Sequence, residues 1–273
     1  MFISGIGRWI NEFLIDLGSF TRFSFVVLTS ILYHKRYGRF RKAWQRLTWQ
    51  MYEIGLKSLP VVMITGAFIA MTLAVQSYSQ LSQMGLADRM GGLINVSVVN
   101  ELGPVLTAFM IAGRVGGALT AELGTMKVTE QIDAIRAMGA DPIYYLVLPR
   151  LLACILLTPL LTIYADLLGV LGGYFISVYH FGINSQSYWQ FSADIVEKYD
   201  LVVGISKGFF FGGAIGLISC YNGFNCGRGA RGVGRACTEA FVTSFVAILL
   251  INFVVAIISR AVYMSLWELK SVI

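Results

Sequence analysis

The chain has 273 residues, of which 56% are hydrophobic and only 13% charged, with a mean hydropathy of +0.70. A soluble domain is roughly 45–50% apolar and about 25% charged, so this much apolar surface cannot close into one water-soluble core and must use lipid as its solvent. The net charge of +6 sits in short segments between apolar runs, which excludes a continuous nucleic-acid-binding face and fits the positive-inside rule instead.

Residues 8–22 read as an amphipathic helix. Trp9, Ile10, Phe13, Leu14, Leu17 and Phe20 fall within an arc of about 140°, opposite Arg8, Asn11, Glu12, Asp16, Ser19 and Arg22, with Ile15 as the exception. Such a helix lies in the membrane interface. Its charges argue against a cleaved signal peptide. The apolar run Phe23–Tyr33 is too short to span alone, and a sixth span over 10–32 is the alternative. Residues 34–57 are basic, with Lys35, Arg36, Arg39, Arg41, Lys42, Arg46 and Lys57 against Glu53, and are expected in the cytosol.

Five spans follow, at about 58–80, 92–113, 150–179, 201–221 and 240–264, each near or above the ~20 residues a bilayer requires. The 76–92 loop is neutral. The 182–200 loop is acidic through Asp194, Glu197 and Asp200, and the 222–239 loop is basic through Arg228, Arg231 and Arg235. That alternation predicts a cytosolic N-terminus and an external C-terminus. The expectation is thus a single all-α membrane domain: a bundle of about five transmembrane helices, an N-terminal interfacial helix, and a cytosolic helix within 114–149.

In that cytosolic segment Val128, Ile132, Ile135 and Met138 share an arc of roughly 120°, opposite Lys127, Glu130, Asp133 and Arg136. Gly139 ends the helix and Asp141-Pro142 opens a turn. Two readings fit: a helix lying on the membrane, or one docking into a partner protein. Asp133-Ala134-Ile135, Gly139 and Leu148-Pro149 match only in part the acid–glycine–proline signature of ABC importer permeases.

Glu101 lies inside the second span, and Asp166 and Lys207 lie in later ones. An intramembrane ionisable group is costly and points to a substrate path or to a buried pair; Asp166 and Lys207 are candidates to pair with each other. The span glycines Gly66, Gly169, Gly172, Gly173, Gly212, Gly213 and Gly216 read as close helix packing. Gly227–Gly232 spells GxGxxG, but without a preceding strand it reads as a cytosolic turn and not as a dinucleotide site. Cys154, Cys220, Cys226 and Cys237 lack metal-ligand spacing. No GxxxxGK[ST] phosphate loop, HExxH or GxSxG occurs, so no catalysis is expected of this polypeptide and no cofactor is expected to bind it.

Asn100-Glu101-Leu102-Gly103-Pro104-Val105, Ala112 through Gly124 (AGRVGGALTAELG), Thr129-Glu130-Gln131, Met138 through Pro142, Leu148-Pro149-Arg150, Gly172-Gly173 and Tyr221-Asn222-Gly223 together resemble the MlaE/YrbE permease family, over roughly residues 40–260. The resemblance implies the membrane subunit of an ABC transporter in a bacterial inner membrane. It implies a homodimer with a separate cytosolic ATPase that consumes the ATP, an MCE-domain partner, and phospholipid or related hydrophobic cargo. It also implies a substrate cavity lined by Leu73, Gln76, Tyr78, Gln80, Leu81, Glu101 and Leu102, and ATPase coupling through Arg114, Glu122, Glu130, Asp133, Arg136 and Gly139. Asn100 departs from relatives that carry arginine at this position. An ion-coupled secondary transporter using Glu101, Asp166 or Lys207 is the competing reading of the same charges.

Overall fold

Apolar helices of span length leave lipid no unpaired backbone to meet, and the chain satisfies its main chain almost wholly within helices. The computed structural model describes residues 2–34 and 47–271, and among them there is no strand. The elements are α1 (Phe2–His34), α2 (Leu47–Gln83), α3 (Ala87–Val128), α4 (Gln131–Ala137), α5 (Ile143–His180), α6 (Ser185–Ile195), α7 (Lys198–Phe224) and α8 (Gly229–Ser271). Helices α2, α3, α5, α7 and α8 are the five, among the described residues, long and apolar enough to cross a membrane. The expectations for Lys35, Arg36, Arg39, Arg41, Lys42 and Arg46, and for the side chains of Trp9, Ile10 and Phe13, lie outside the described residues.

Helix α5 is the centre of the bundle. Its most apolar stretch is 72% buried, against 11% for α8, and it packs on α2, α3 and α7. Glycine makes these approaches close. A Cβ on Gly66 would run into the Ala165 carbonyl, one on Gly212 into the Cys154 carbonyl, and one on Gly208 would lie 2.7 Å from Pro159 Cα. The expected packing role of the span glycines is therefore met at Gly66 and Gly212, and Gly208 adds a further close approach.

One end of the bundle carries α4 and the other carries α6. At the α6 end, Asn184 caps α6 by accepting from the Gln186 and Ser187 amides. The buried Asn95 of α3 donates to Ser192 Oγ at 2.8 Å and accepts from the Tyr188 hydroxyl at 3.1 Å. Burial pushes the Tyr188 phenol up to about 12, against the lowering effect of its bond to Asn95, so it remains a neutral donor. At the α4 end, α1 lies across α5 and α7. Phe20 and Phe23 pack on Tyr221, Ser19 Oγ and the Tyr221 hydroxyl hydrogen-bond, and Val27 is buried in a cluster with Ile132, Leu146 and Val147.

The helices outrun the expected spans. The segment expected as a loop from 114 onward is helix to Val128, and the last part of the basic 34–57 segment, residues 47–57, is the first part of α2, with Lys57 paired to Glu53 at 2.6 Å. The predicted helix 8–22 continues without a break from Phe2 to His34. The GxGxxG segment is also less loop-like than expected: Gly229, at φ +72°, opens α8, so only its first residues form the turn.

Gly208→Val should force α7 away from Pro159 and cost about 1–3 kcal/mol. The expected readout is a lower thermal midpoint of the detergent-purified protein, followed by fluorescence-detected gel filtration.

Candidate functional site

Pro104 lacks an amide hydrogen, so it cannot donate the bond that the carbonyl four residues earlier, Asn100 O, accepts in an α-helix. Around it α3 widens into a π-turn over Val98–Leu102. Lys207 of α7 fills the opening. Its Nζ donates to Asn100 O at 2.9 Å and to Glu101 Oε1 at 2.7 Å, and its side chain is fully buried. Gly204, one turn earlier on α7, permits this approach, because a Cβ there would strike the Val99 carbonyl. The other carboxylate oxygen, Glu101 Oε2, accepts from Asn252 Nδ2 of α8 at 3.0 Å. One broken backbone bond thus gathers three spans around an ion pair.

The pair is lopsided: Glu101 keeps 44% of its side chain exposed while Lys207 keeps none. The cation is sealed and the anion is half open. A second polar chain runs towards the α6 end, where Asn100 Nδ2 donates to Asp200 Oδ1 at 3.0 Å, Asp200 completes the capping box of α7 with Glu197, and Tyr263 of α8 donates to Glu197 at 3.2 Å.

Beside the ion pair, Val62, Thr65, Gly66 and Ile69 of α2 face Val98, Leu102, Leu106 and Met110 of α3 across a groove backed by Ala165. Its wall is mostly aliphatic.

The residues expected to bind substrate divide among three surroundings. Leu102 lines the groove and Glu101 faces Lys207 and Asn252. Leu73, Tyr78 and Leu81 pack on the core at the α6 end, where Tyr78 stacks on Phe181 with ring centroids 3.9 Å apart, and Gln76 and Gln80 are exposed. Asp166 and Lys207 do not pair with each other: Lys207 is taken by Glu101, and Asp166 Oδ1 is buried without a hydrogen-bond partner. Asn252 escaped the sequence reading, although a lone amide in the apolar run ILLINFVV was its signal.

The residues expected to couple to an ATPase also separate. Arg114 donates to Ser58 Oγ of α2 at 2.5 Å, and Glu122 pairs with the largely buried Arg150 at 3.0 Å, so both bind within the bundle. Asp133 and Arg136 pair with each other at 3.0 Å on the exposed side of α4. Glu130 sits in the left-handed region at φ 59° between α3 and α4, and Gly139, at φ +74°, ends α4 as expected. The expected apolar stripe is halved. Ile132 and Ile135 pack inward, whereas Met138 is 76% exposed and Val128 38% exposed.

The Permease MlaE family model matches residues 47–258, a stretch that holds the groove, the ion pair and α4. The chain belongs to the MlaE permease family. A probable ABC transporter permease protein of Rickettsia felis is 40% identical over 252 residues, covering 92% of this chain and 95% of the relative. The intermembrane phospholipid transport system permease protein MlaE of Haemophilus influenzae is 33% identical over 258 residues, covering 94% and 97%. A probable ABC transporter permease protein of Synechocystis sp. is 40% identical over 204 residues, covering 75% and 78%. Within this MlaE-family, multi-pass membrane protein, the ion pair joins α3 to α7 beside the groove, and α4 projects from one end.

Removing the half-exposed anion strands a sealed cation, whereas removing the cation leaves Glu101 with Asn252 and an open face. Glu101→Leu should therefore cost about 3–5 kcal/mol and Lys207→Met distinctly less, with the double variant recovering much of the Glu101→Leu loss. Thermal midpoints of the four purified proteins check the order.

Proposed function

We propose that the chain is the permease subunit of an ABC transporter that moves phospholipids or related hydrophobic molecules between a bacterial inner membrane and the outer envelope. A separate cytosolic ATPase supplies the driving force, and two copies of the chain form the membrane unit with an MCE-domain partner. The observation that carries this reading is the aliphatic groove between α2 and α3, set beside a half-open carboxylate in a member of this permease family. The printed name of the Haemophilus influenzae relative, a phospholipid transport permease, supports the same cargo class.

Exposed surfaces support the rest of the assembly. Ile64, Phe68 and Val75 form an exposed stripe on α2 flanking the groove. A second copy laid on that stripe encloses the groove, and it brings Gln76, Gln80 and the face near Leu73, Tyr78 and Leu81 to one cavity with Glu101 and Leu102. The N-terminus is then cytosolic, the C-terminus outside, and α4 at the cytosolic end. There Met138, Glu130, Asp133, Arg136 and Gly139 offer one apolar anchor within a polar rim to the ATPase, while Arg114 and Glu122 pass its motion into α2 and α5.

An ion-coupled mechanism needs an acid free to load and release its ion. Of the three charges that reading would use, Glu101 and Lys207 neutralise each other at 2.7 Å and Asp166 alone has no partner, so it is the family membership that favours the ATP-driven reading.

Complexes of the permease, ATPase and MCE partner reconstituted in proteoliposomes should move fluorescent phospholipid only with hydrolysable ATP. Met138→Asp should lower both ATPase co-purification and lipid movement by tenfold or more, the loss expected when a buried hot spot is removed. Lipid movement that persists without the ATPase would overturn the proposal.

A further inference from the structure

Helix α8 buries little of itself in the bundle, and the chemistry of its outward face changes along its length. At 100° per residue Arg231, Arg235, Val242, Leu249, Phe253 and Arg260 fall within an arc of about 40°, and all six are exposed. Arginine therefore brackets an apolar middle on one stripe. At 1.5 Å per residue, Arg235 and Arg260 stand about 37 Å apart along the axis. A hydrocarbon core is about 30 Å thick, so a stripe centred in it holds each of the two roughly 4 Å outside, among the headgroups. Arg231 lies about 6 Å further out, and its long side chain reaches back to the same layer.

The two ends of the stripe are unequal, and the charge concentrates at the α4 end. Arg228 stands just before α8, and the turn around it is closed on itself, because a Cβ on Gly232 would strike the Gly227 carbonyl. Arg228 is thereby held beside the first turn of α8, which carries Arg231. Glu239 is the one acid between residues 225 and 260, and Arg235 Nε donates to it at 2.8 Å. Among the described residues neither Arg228 nor Arg231 pairs with an acid, and both are exposed. Arg235 is itself 82% exposed, with its terminal N–H groups left over from the bond to Glu239. Three arginines thus share one headgroup layer with one carboxylate, directly above a stripe that faces acyl chains.

We propose that Arg228, Arg231 and Arg235 form a docking site for an anionic phospholipid of the leaflet at the α4 end, with its acyl chains along Val242 and Leu249. Guanidinium groups match phosphate oxygens in a two-pronged geometry, and a net positive patch beside a bilayer attracts anionic headgroups. The occupant is a lipid and not a soluble anion, because the arginines and the apolar residues below them are one continuous face of one helix. The site is separate from the groove, which α2, α3 and α5 line. It requires that α8 span a bilayer and does not rest on the transport reading.

The test is native mass spectrometry of the full chain, equilibrated in mixed micelles with equimolar phosphatidylglycerol and phosphatidylcholine, which differ in headgroup charge. The native chain should retain phosphatidylglycerol about tenfold over phosphatidylcholine at low salt, as expected of two uncompensated arginines at a membrane surface. The preference should shrink several-fold in about 0.5 M sodium chloride, because exposed charges are screened. The double variant Arg228→Gln/Arg231→Gln should bring the ratio close to one. Arg228→Lys/Arg231→Lys, which keeps the charge and loses the fork, should leave an intermediate preference. An unchanged gel-filtration profile and melting midpoint, expected for exposed positions, identify folded variants, and the salt series needs no variant. Equal retention of the two lipids or of neither by the native chain, a preference indifferent to salt, or an unaltered preference in the folded glutamine variant overturns the site. A glutamine variant that keeps the lipid preference but no longer co-purifies with the ATPase also overturns it, and assigns the arginines to a protein partner.

Discussion

A lysine with no exposed surface, held in the middle of a membrane bundle, is the constraint on which the arrangement of the spans depends. Lys207 cannot remain there without acceptors, and the chain supplies them by an indirect route. Proline at 104 breaks a backbone hydrogen bond, the freed Asn100 carbonyl becomes an acceptor, and the neighbouring glutamate supplies the countercharge. The registry of α7 against α3 follows, because sliding either helix by one turn, 5.4 Å, would strand the ammonium. Asn252 helps set the rotation of α8, which buries little of its own surface, together with Tyr263 on Glu197 and Phe245 stacked on Phe109.

Around that fixed point small residues make the closest helix crossings, and clusters of bulkier apolar side chains fill the space between them. In lipid, burying leucine against leucine offers little advantage over leaving it in the acyl chains, so helix association relies on close van der Waals fit and on polar contacts across helices. Gly66 against Ala165, Gly212 against Cys154 and Gly208 against Pro159 are cases of backbone meeting backbone. They draw α2 and α7 onto α5, whereas α2 and α3 diverge enough to leave the aliphatic groove between them. The packing that centres α5 in the bundle is therefore also what places the opening at the side of the molecule.

Much of this was legible in the residues. Five spans announce themselves by hydropathy alone, and Gly139 followed by Asp141-Pro142 marks the end of α4 because a left-handed glycine and an Asx turn have recognisable chemistry. The extent of α3 was not legible. Arg114 and the glycines around it resemble a span boundary, but Arg114 is satisfied by Ser58 of another helix and the α3 helix continues past it to Val128. The partner of Lys207 was equally hidden. Residues 101 and 207 are joined by a helix crossing, and no local spacing encodes which two of three intramembrane charges will meet. The substrate residues expected from the family resemblance scatter between the groove, which Leu102 lines, and the α6 end, where Leu73, Tyr78 and Leu81 pack.

The Glu122–Arg150 bridge ties the last turns of α3 to the first turn of the α5 helix proper, on either side of the projecting α4. The polypeptide between them is thereby a clasped hairpin and not a free tether. The hairpin is therefore anchored to both long helices at its base and not to one of them alone. One of those two helices forms a wall of the groove and the other its floor, so a single clasp holds together the two elements that set the width and the depth of the opening.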